Sequence, residues 1–175
     1  PEHPVGEGLQ ALRDALRDTH PNVRVRAVER LAAAGDPRVL PDIIDALHDQ
    51  SAAVREASAA ALARLGSRSA APHLRLALRN LDEDDWVRLR LAIALSELGG
   101  VDGLDVLLDL ARAGTASVMR LEALTTLIRF ARFEEAVPAD PDGEEAARSL
   151  ERIDSWLGDN RDRLEWDAET RSYHP

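Results

Sequence analysis

Residues 54–66 read VREASAAALARLG, and the same outline recurs at 23–35 as VRVRAVERLAAAG, at 87–99 as VRLRLAIALSELG and, altered at its end, at 119–131 as MRLEALTTLIRFA. Each copy opens on an apolar residue followed by Arg: Val23-Arg24, Val54-Arg55, Val87-Arg88 and Met119-Arg120, at intervals of 31, 33 and 32 residues. Eight residues after each anchor stands Leu31, Leu62, Leu95 or Leu127. Four residues later comes Gly35, Gly66 or Gly99, with Ala131 in that place in the fourth copy. Positions i and i+8 share a helix face, and a Gly just past the last turn stops a helix. Each copy therefore opens with a helix of about 13 to 15 residues.

A second helix is expected after each Gly. Asp36-Pro37 offers a capping carboxylate before a Pro at the first helical position, and Ser67 or Ser69 can cap the matching helix of the next copy. Leu40, Ile43 and Leu47 then correspond to Ala71, Leu74 and Leu78 and to Leu104, Leu107 and Leu110, an i, i+3, i+7 stripe. Val5, Leu9, Leu12 and Leu16 repeat that stripe ahead of the first copy. The expected organisation is one domain over 1–175: a lone N-terminal helix at 5–18, repeats at 19–132, an inserted loop at 133–142, a last helix at 143–158 ending at Gly158, and a non-helical tail at 159–175 that caps the array. The fold class is all-α, a solenoid of about nine helices, because hairpins with one-sided stripes bury their apolar faces by stacking.

Composition agrees. Among 175 residues, 29 are Ala and 26 are Leu, strong helix formers, whereas aromatics make up 3%. A net charge of −10 opposes binding to nucleic acid or an acidic membrane surface. All 22 basic residues are Arg. The absence of Cys removes disulfides, thiolate metal sites and a cysteine nucleophile. With no run of 18 apolar residues and no leader-like pattern in the first 15, a cytoplasmic location is expected.

The period, the Val-Arg anchor and the Gly35-Asp36-Pro37 turn resemble HEAT repeats, particularly the short bacterial kind also seen in phycobilin lyases, over roughly residues 5 to 132. The tail pattern Trp156, Asn160, Leu164 and Trp166-Asp167 resembles the end of bacterial HEAT-like proteins. The resemblance implies a scaffold that binds proteins along the concave face lined by second helices. Some HEAT-type hydroxylases hold a metal pair with His-Glu dipeptides, but none of His3, His20, His48, His73 and His174 begins one. HEAT-like glycosylases need a basic groove that this acidic chain lacks.

No Gly-x-Ser-x-Gly elbow occurs, and Gly99-Gly100-Val101-Asp102-Gly103 lacks the Lys and hydroxyl of a phosphate loop, so it reads as a turn. Neither catalysis nor a cofactor is expected. The ladder Arg24, Arg55, Arg88 and Arg120 lies beside the buried anchors and is expected to be structural, with Asp18, Asp49, nearby acids such as Asp84 and free helix-end carbonyls as acceptors. The second helices carry the candidate partner groove: Arg17, His48, Arg79 and Arg112, with Asp14, Asp45, Leu76 and Asp109 three residues earlier. Such i, i+3 pairs support a helix, and parallel acidic and basic rows also suit a charged segment of another protein or peptide. Residues 134–175 hold 13 acids and 5 Arg, an acidic end that is either solubilising or a clamp for a basic partner. The leading expectation is a non-catalytic interaction scaffold. The alternative is a phycobilin-lyase-like enzyme or lyase partner, which would want a pocket lined by aromatic or cationic groups. Trp86, Trp156, Trp166 and Tyr173 show no convergence in the sequence.

Overall fold

A computed structural model describes residues 4–80, 83–134 and 137–175, and side chains from residue 8 onward. The side chain of the stripe position Val5, the whole of His3, and residues 135 and 136 of the inserted loop lie outside the described residues. The described α-helices are α1 (Pro4–Ala15), α2 (Pro21–Ala34), α3 (Leu40–Asp45), α4 (Ala52–Leu65), α5 (Ala71–Leu78), α6 (Asp85–Glu97), α7 (Asp102–Ala113), α8 (Ser117–Ala131) and α9 (Glu144–Asn160). A hairpin of β1 (Glu165–Asp167) and β2 (Ser172–His174) follows. The architecture is an all-α solenoid with this short sheet at its C-terminal end.

Local chemistry sets the helix ends. Gly35 and Gly66 stop α2 and α4 at φ 64° and 65°, the left-handed region a side chain disfavours. In the fourth copy the left-handed residue is Arg132 at φ 55°, one place beyond Ala131. Two second helices are not continuous. Pro41 and Pro72 lack an N–H to donate, so the chain enters through 3-10 turns at Pro37–Val39 and Arg68–Ala70, and a further 3-10 turn at Ala46–His48 closes the first. The Asp36 carboxylate caps by accepting the Arg38 N–H at 2.9 Å, whereas Ser67 and Ser69 bond each other at 2.8 Å. Gly158 does not end α9. The helix runs on to Asn160, whose Nδ2 donates to the Trp156 carbonyl one turn back.

The stripes bury Leu9, Leu31, Ile43, Leu47, Leu62, Leu74, Leu95, Leu104, Leu107, Leu110 and Leu127. Of the anchors, Val54, Val87 and Met119 are buried but Val23 is 38% exposed, because among the described residues no earlier first helix precedes α2. Two cores result, one from α1 to α6 and one from α6 to α9 with the hairpin. They meet at α6, which turns Val87, Leu91 and Leu95 to the first and Leu89 and Ala92 to the second. A helix buried on two sides has no single apolar stripe.

First helices pack side by side from α2 to α4 and from α4 to α6, but α6 and α8 hardly touch directly. The tail fills that seam. Its strands pair Trp166 with Tyr173, and the Tyr173 ring, 1% exposed, donates its hydroxyl to the Ser96 carbonyl at 2.7 Å. The Phe130 ring of α8 stands 5.1 Å from Trp166 and 6.4 Å from Tyr173, edge-on to both. Of the four aromatics named from the sequence, Trp166 and Tyr173 do meet, contrary to expectation, whereas Trp156 stands 6.0 Å from Phe133 instead. Leu164 and Trp166 pack against the second core as half-buried residues, and the deepest contact falls to Tyr173.

The crossing of α6 and α7 is tighter still. A Cβ on Gly103 would stand 2.4 Å from Ser96 Oγ and 2.6 Å from the Ala92 carbonyl, and Ser96 Oγ is buried without a partner among the described residues. Gly103→Ala should therefore lose about 1–3 kcal/mol in urea denaturation. Ser96→Ala should match or exceed the parent, since it deletes an unsatisfied buried hydroxyl. The double variant should stay destabilised, because the Ala92 carbonyl remains; full recovery would place the clash on Ser96 alone.

Candidate functional site

The arginine ladder forms the edge from which the candidate surfaces extend. Arg24, 7% exposed, donates Nε and Nη2 to both oxygens of Asp49 at 2.7 Å and Nη1 to the Asp18 carbonyl at 2.8 Å. Arg55 repeats this with Glu83, at 2.8 and 2.5 Å, and the Asp49 carbonyl at 2.7 Å. Arg120 does so with Asp142 and the Gly114 carbonyl, the latter at 2.7 Å. Each guanidinium thus joins the end of the preceding helix to a carboxylate in the next inter-repeat loop. Glu83 rather than Asp84 receives Arg55, since Asp84 caps α6 by accepting the Trp86 N–H at 2.8 Å. Arg88 departs from the pattern, meeting Asp85 of its own helix at 3.2 Å.

Beside this edge two open hollows run along the second helices. Arg17, Asp45 and His48 line the first, of about 430 Å³, with Leu16 and Asp42. His48 and Leu76 line the second, of about 340 Å³, with Arg55 and Glu83. His48 and Asp49 belong to both, so the hollows adjoin. Leu76 is 56% exposed. Asp14, Arg79 and Asp109 are exposed but line neither hollow, and Asp14 accepts a hydrogen bond from Gln10 at 3.0 Å. Arg112 does not pair with Asp109. It crosses to Asp154 at 2.6 Å, because α9 lies against α7 and presents a carboxylate there. Further straps tie this row: Arg13 to Asp42 at 2.9 Å and Arg75 to Asp102 at 2.5 Å.

A third hollow, of about 480 Å³, opens on the first-helix side beneath the hairpin. Ala60 and Ala63 of α4, Ile93 and Ala94 of α6, and Trp166 give it an apolar lining, with Arg64, Arg68, Arg90 and Arg171 around them. Arg90 is fixed between Glu56 of α4 and Glu122 of α8, at 3.1 and 2.6 Å, and Arg171 pairs with Glu97. The sequence reading missed this site because Trp166 and Arg171 come from the tail, outside the repeat in which Ala60 corresponds to Ile93 and Arg64 to Glu97. One local signal was present: Asp167 accepts the N–H groups of Glu169 and Thr170, at 2.8 and 3.3 Å, as an Asp that folds a turn does.

Residues 9–81 match the family described as HEAT repeats. Over that segment the chain is similar to HEAT repeats. No curated protein matches the chain. HEAT repeats generally mediate protein–protein interaction. Among the described residues no group of three or more His, Asp or Glu could hold a metal ion, and no helix is long and apolar enough to cross a membrane.

The straps between the repeats carry a proton dependence. Hydrogen bonds from Arg24 hold the Asp49 carboxyl below its ordinary value against the opposing effect of burial, and Arg55 does the same for Glu83. A carboxyl that binds its proton more weakly when folded contributes its full stability above the unfolded pKa of about 4, and loses it as pH falls through the lower folded value. Melting temperature should therefore fall as pH is lowered from about 5 to about 2. Asp49→Asn should begin lower at neutral pH and show a shallower decline; an equally steep decline would separate Asp49 from the acid transition.

Proposed function

We propose that this protein is a non-catalytic scaffold that holds a segment of another protein along its second helices. The observation that carries the proposal is the adjoining pair of hollows, in which Arg17, Asp45 and His48 line one and the exposed Leu76 stands in the other. An exposed Leu beside mixed charges suits a partner segment that inserts an apolar side chain and sets its register by ion pairs. Arg112, tied to Asp154, is a strut of the array in this proposal, and Arg79 extends the groove beyond α5.

A photo-reactive residue at position 76 should crosslink the partner in cells. Arg17→Glu combined with Arg79→Glu should weaken that capture at least tenfold while the circular dichroism spectrum stays as in the parent. Loss of helicity would mark these residues as structural, and undiminished crosslinking would move the interface away from the second helices.

The lyase alternative draws on one observation, the aromatic and cationic lining of the hollow beneath the hairpin. Incubation with a linear tetrapyrrole, followed by absorbance, separates the two: a stable spectral shift favours the lyase, an unchanged spectrum the scaffold.

We also propose that the tail closes the array, at the α6–α8 seam rather than over the outermost helix. Burial of Tyr173 and its bond to Ser96 support this. Truncation after Asn160 should lower the melting temperature and promote self-association through the uncovered Phe130 surface. A parent-like melting curve with monomeric elution would assign the tail to binding alone.

A further inference from the structure

We infer that the hollow beneath the hairpin is a second docking site, on the opposite row of helices from the groove, and that it takes an acidic peptide segment of a partner protein carrying an apolar anchor. The inference stands independently of the second-helix groove, since the two sites share no lining residue.

Charge is the first argument. In a chain with ten more acids than bases, this lining carries four arginines and one acid, Glu97. Glu97 is engaged by Arg171 and lies 4.0 Å from Arg129. Arg64 and Arg68 are exposed and have no ion-pair partner among the described residues. They stand on the two sides of the α4 stop, one on the helix and one in the turn that follows. Two unpaired guanidiniums at the rim of a hollow recognise carboxylates by charge-assisted, bidentate hydrogen bonds, and Arg clusters are a recurrent means of capturing acidic motifs.

The lining between them is the second argument. Ala60, Ala63 and Ala94 leave space that larger side chains would fill, and Ile93 and Trp166 provide apolar walls. Arg90 cannot turn toward a ligand without breaking its bonds to Glu56 and Glu122, which offset its charge, so Arg64 and Arg68 are left to make the contacts.

The helix ends bordering the hollow would ordinarily repel an anion. Here much of that negative end is already satisfied. At α4 the Gly66 N–H bonds the Leu62 and Ala63 carbonyls. At α6 the Leu95 carbonyl accepts from Leu98 and Gly100, and the Ser96 carbonyl from Gly99 and from the Tyr173 hydroxyl. The hairpin thus supplies one wall of the hollow and also quiets the helix end beneath it.

A displayed library of random 12-residue peptides selected on the full chain, with the Arg64→Glu/Arg68→Glu variant as counter-selection, tests this directly. Enriched sequences should carry two or more acidic residues flanking an aliphatic or aromatic one. A synthetic peptide of that consensus should bind in calorimetry at least tenfold more weakly to the double variant, lose affinity when its apolar residue is changed to Ser, and weaken as salt rises. It should bind equally to the Arg17→Glu/Arg79→Glu variant, so that failure here is distinct from failure of the second-helix groove. No enrichment, a basic or uncharged consensus, or equal affinity for the double variant would overturn the inference. Competition by citrate as strong as by the peptide would reassign the site to small carboxylates.

Discussion

Arg24, Arg55 and Arg120 each reach in two directions at once, and the register of the array depends on it. Backward, the guanidinium donates to the carbonyl six residues earlier, at the end of the helix before; forward, it grips a carboxylate 25, 28 or 22 residues on. Only a planar fork with five donors satisfies both ends from one side chain, and Lys could not replace it. Breaking such a strap, as at Arg24, leaves both Asp49 and the Asp18 carbonyl without their donor. Apolar stripes drive the pairs together without direction, whereas the straps fix where one pair sits on the next. The second-helix hollows lie at that joint, with Asp49 and Arg55 in their walls.

Local features were legible in the sequence because their causes lie within one turn or one period. Gly35 and Gly66 announce helix stops by needing positive φ, and Leu31, Leu62, Leu95 and Leu127 mark one face by spacing alone. What the sequence hid were choices among nearby partners. Glu83 and Asp84 are adjacent carboxylates, yet the first grips Arg55 and the second caps α6. Spacing paired Arg112 with Asp109, but a neighbouring helix offered Asp154 at 2.6 Å. Val23 has the pattern of a buried anchor without a neighbour to bury it.

The candidate sites divide in the same way. Arg17, Asp45, His48 and Leu76 could be named in advance because they recur at equivalent places on successive second helices, and packing brings them to adjoining hollows. The hollow beneath the hairpin combines Arg64, Ile93 and Trp166, which share no repeat position. Its existence depends on a tertiary event, the return of the tail to α6 and α8, for which the aromatic residues gave composition but no address.

That return has a consequence for how the molecule is made. Most contacts of a solenoid join neighbours in the chain, so α1 to α5 can associate soon after they leave the ribosome. The Tyr173 hydroxyl instead bonds a carbonyl 77 residues upstream. Until the hairpin at 165–174 is synthesised, α6 has only part of its second core, and the Phe130 face of α8 stays wet. The order of assembly is therefore vectorial but closes backward: a later segment completes a wall begun by an earlier one, and the nascent chain passes through a stage with α1 to α9 formed and one seam open.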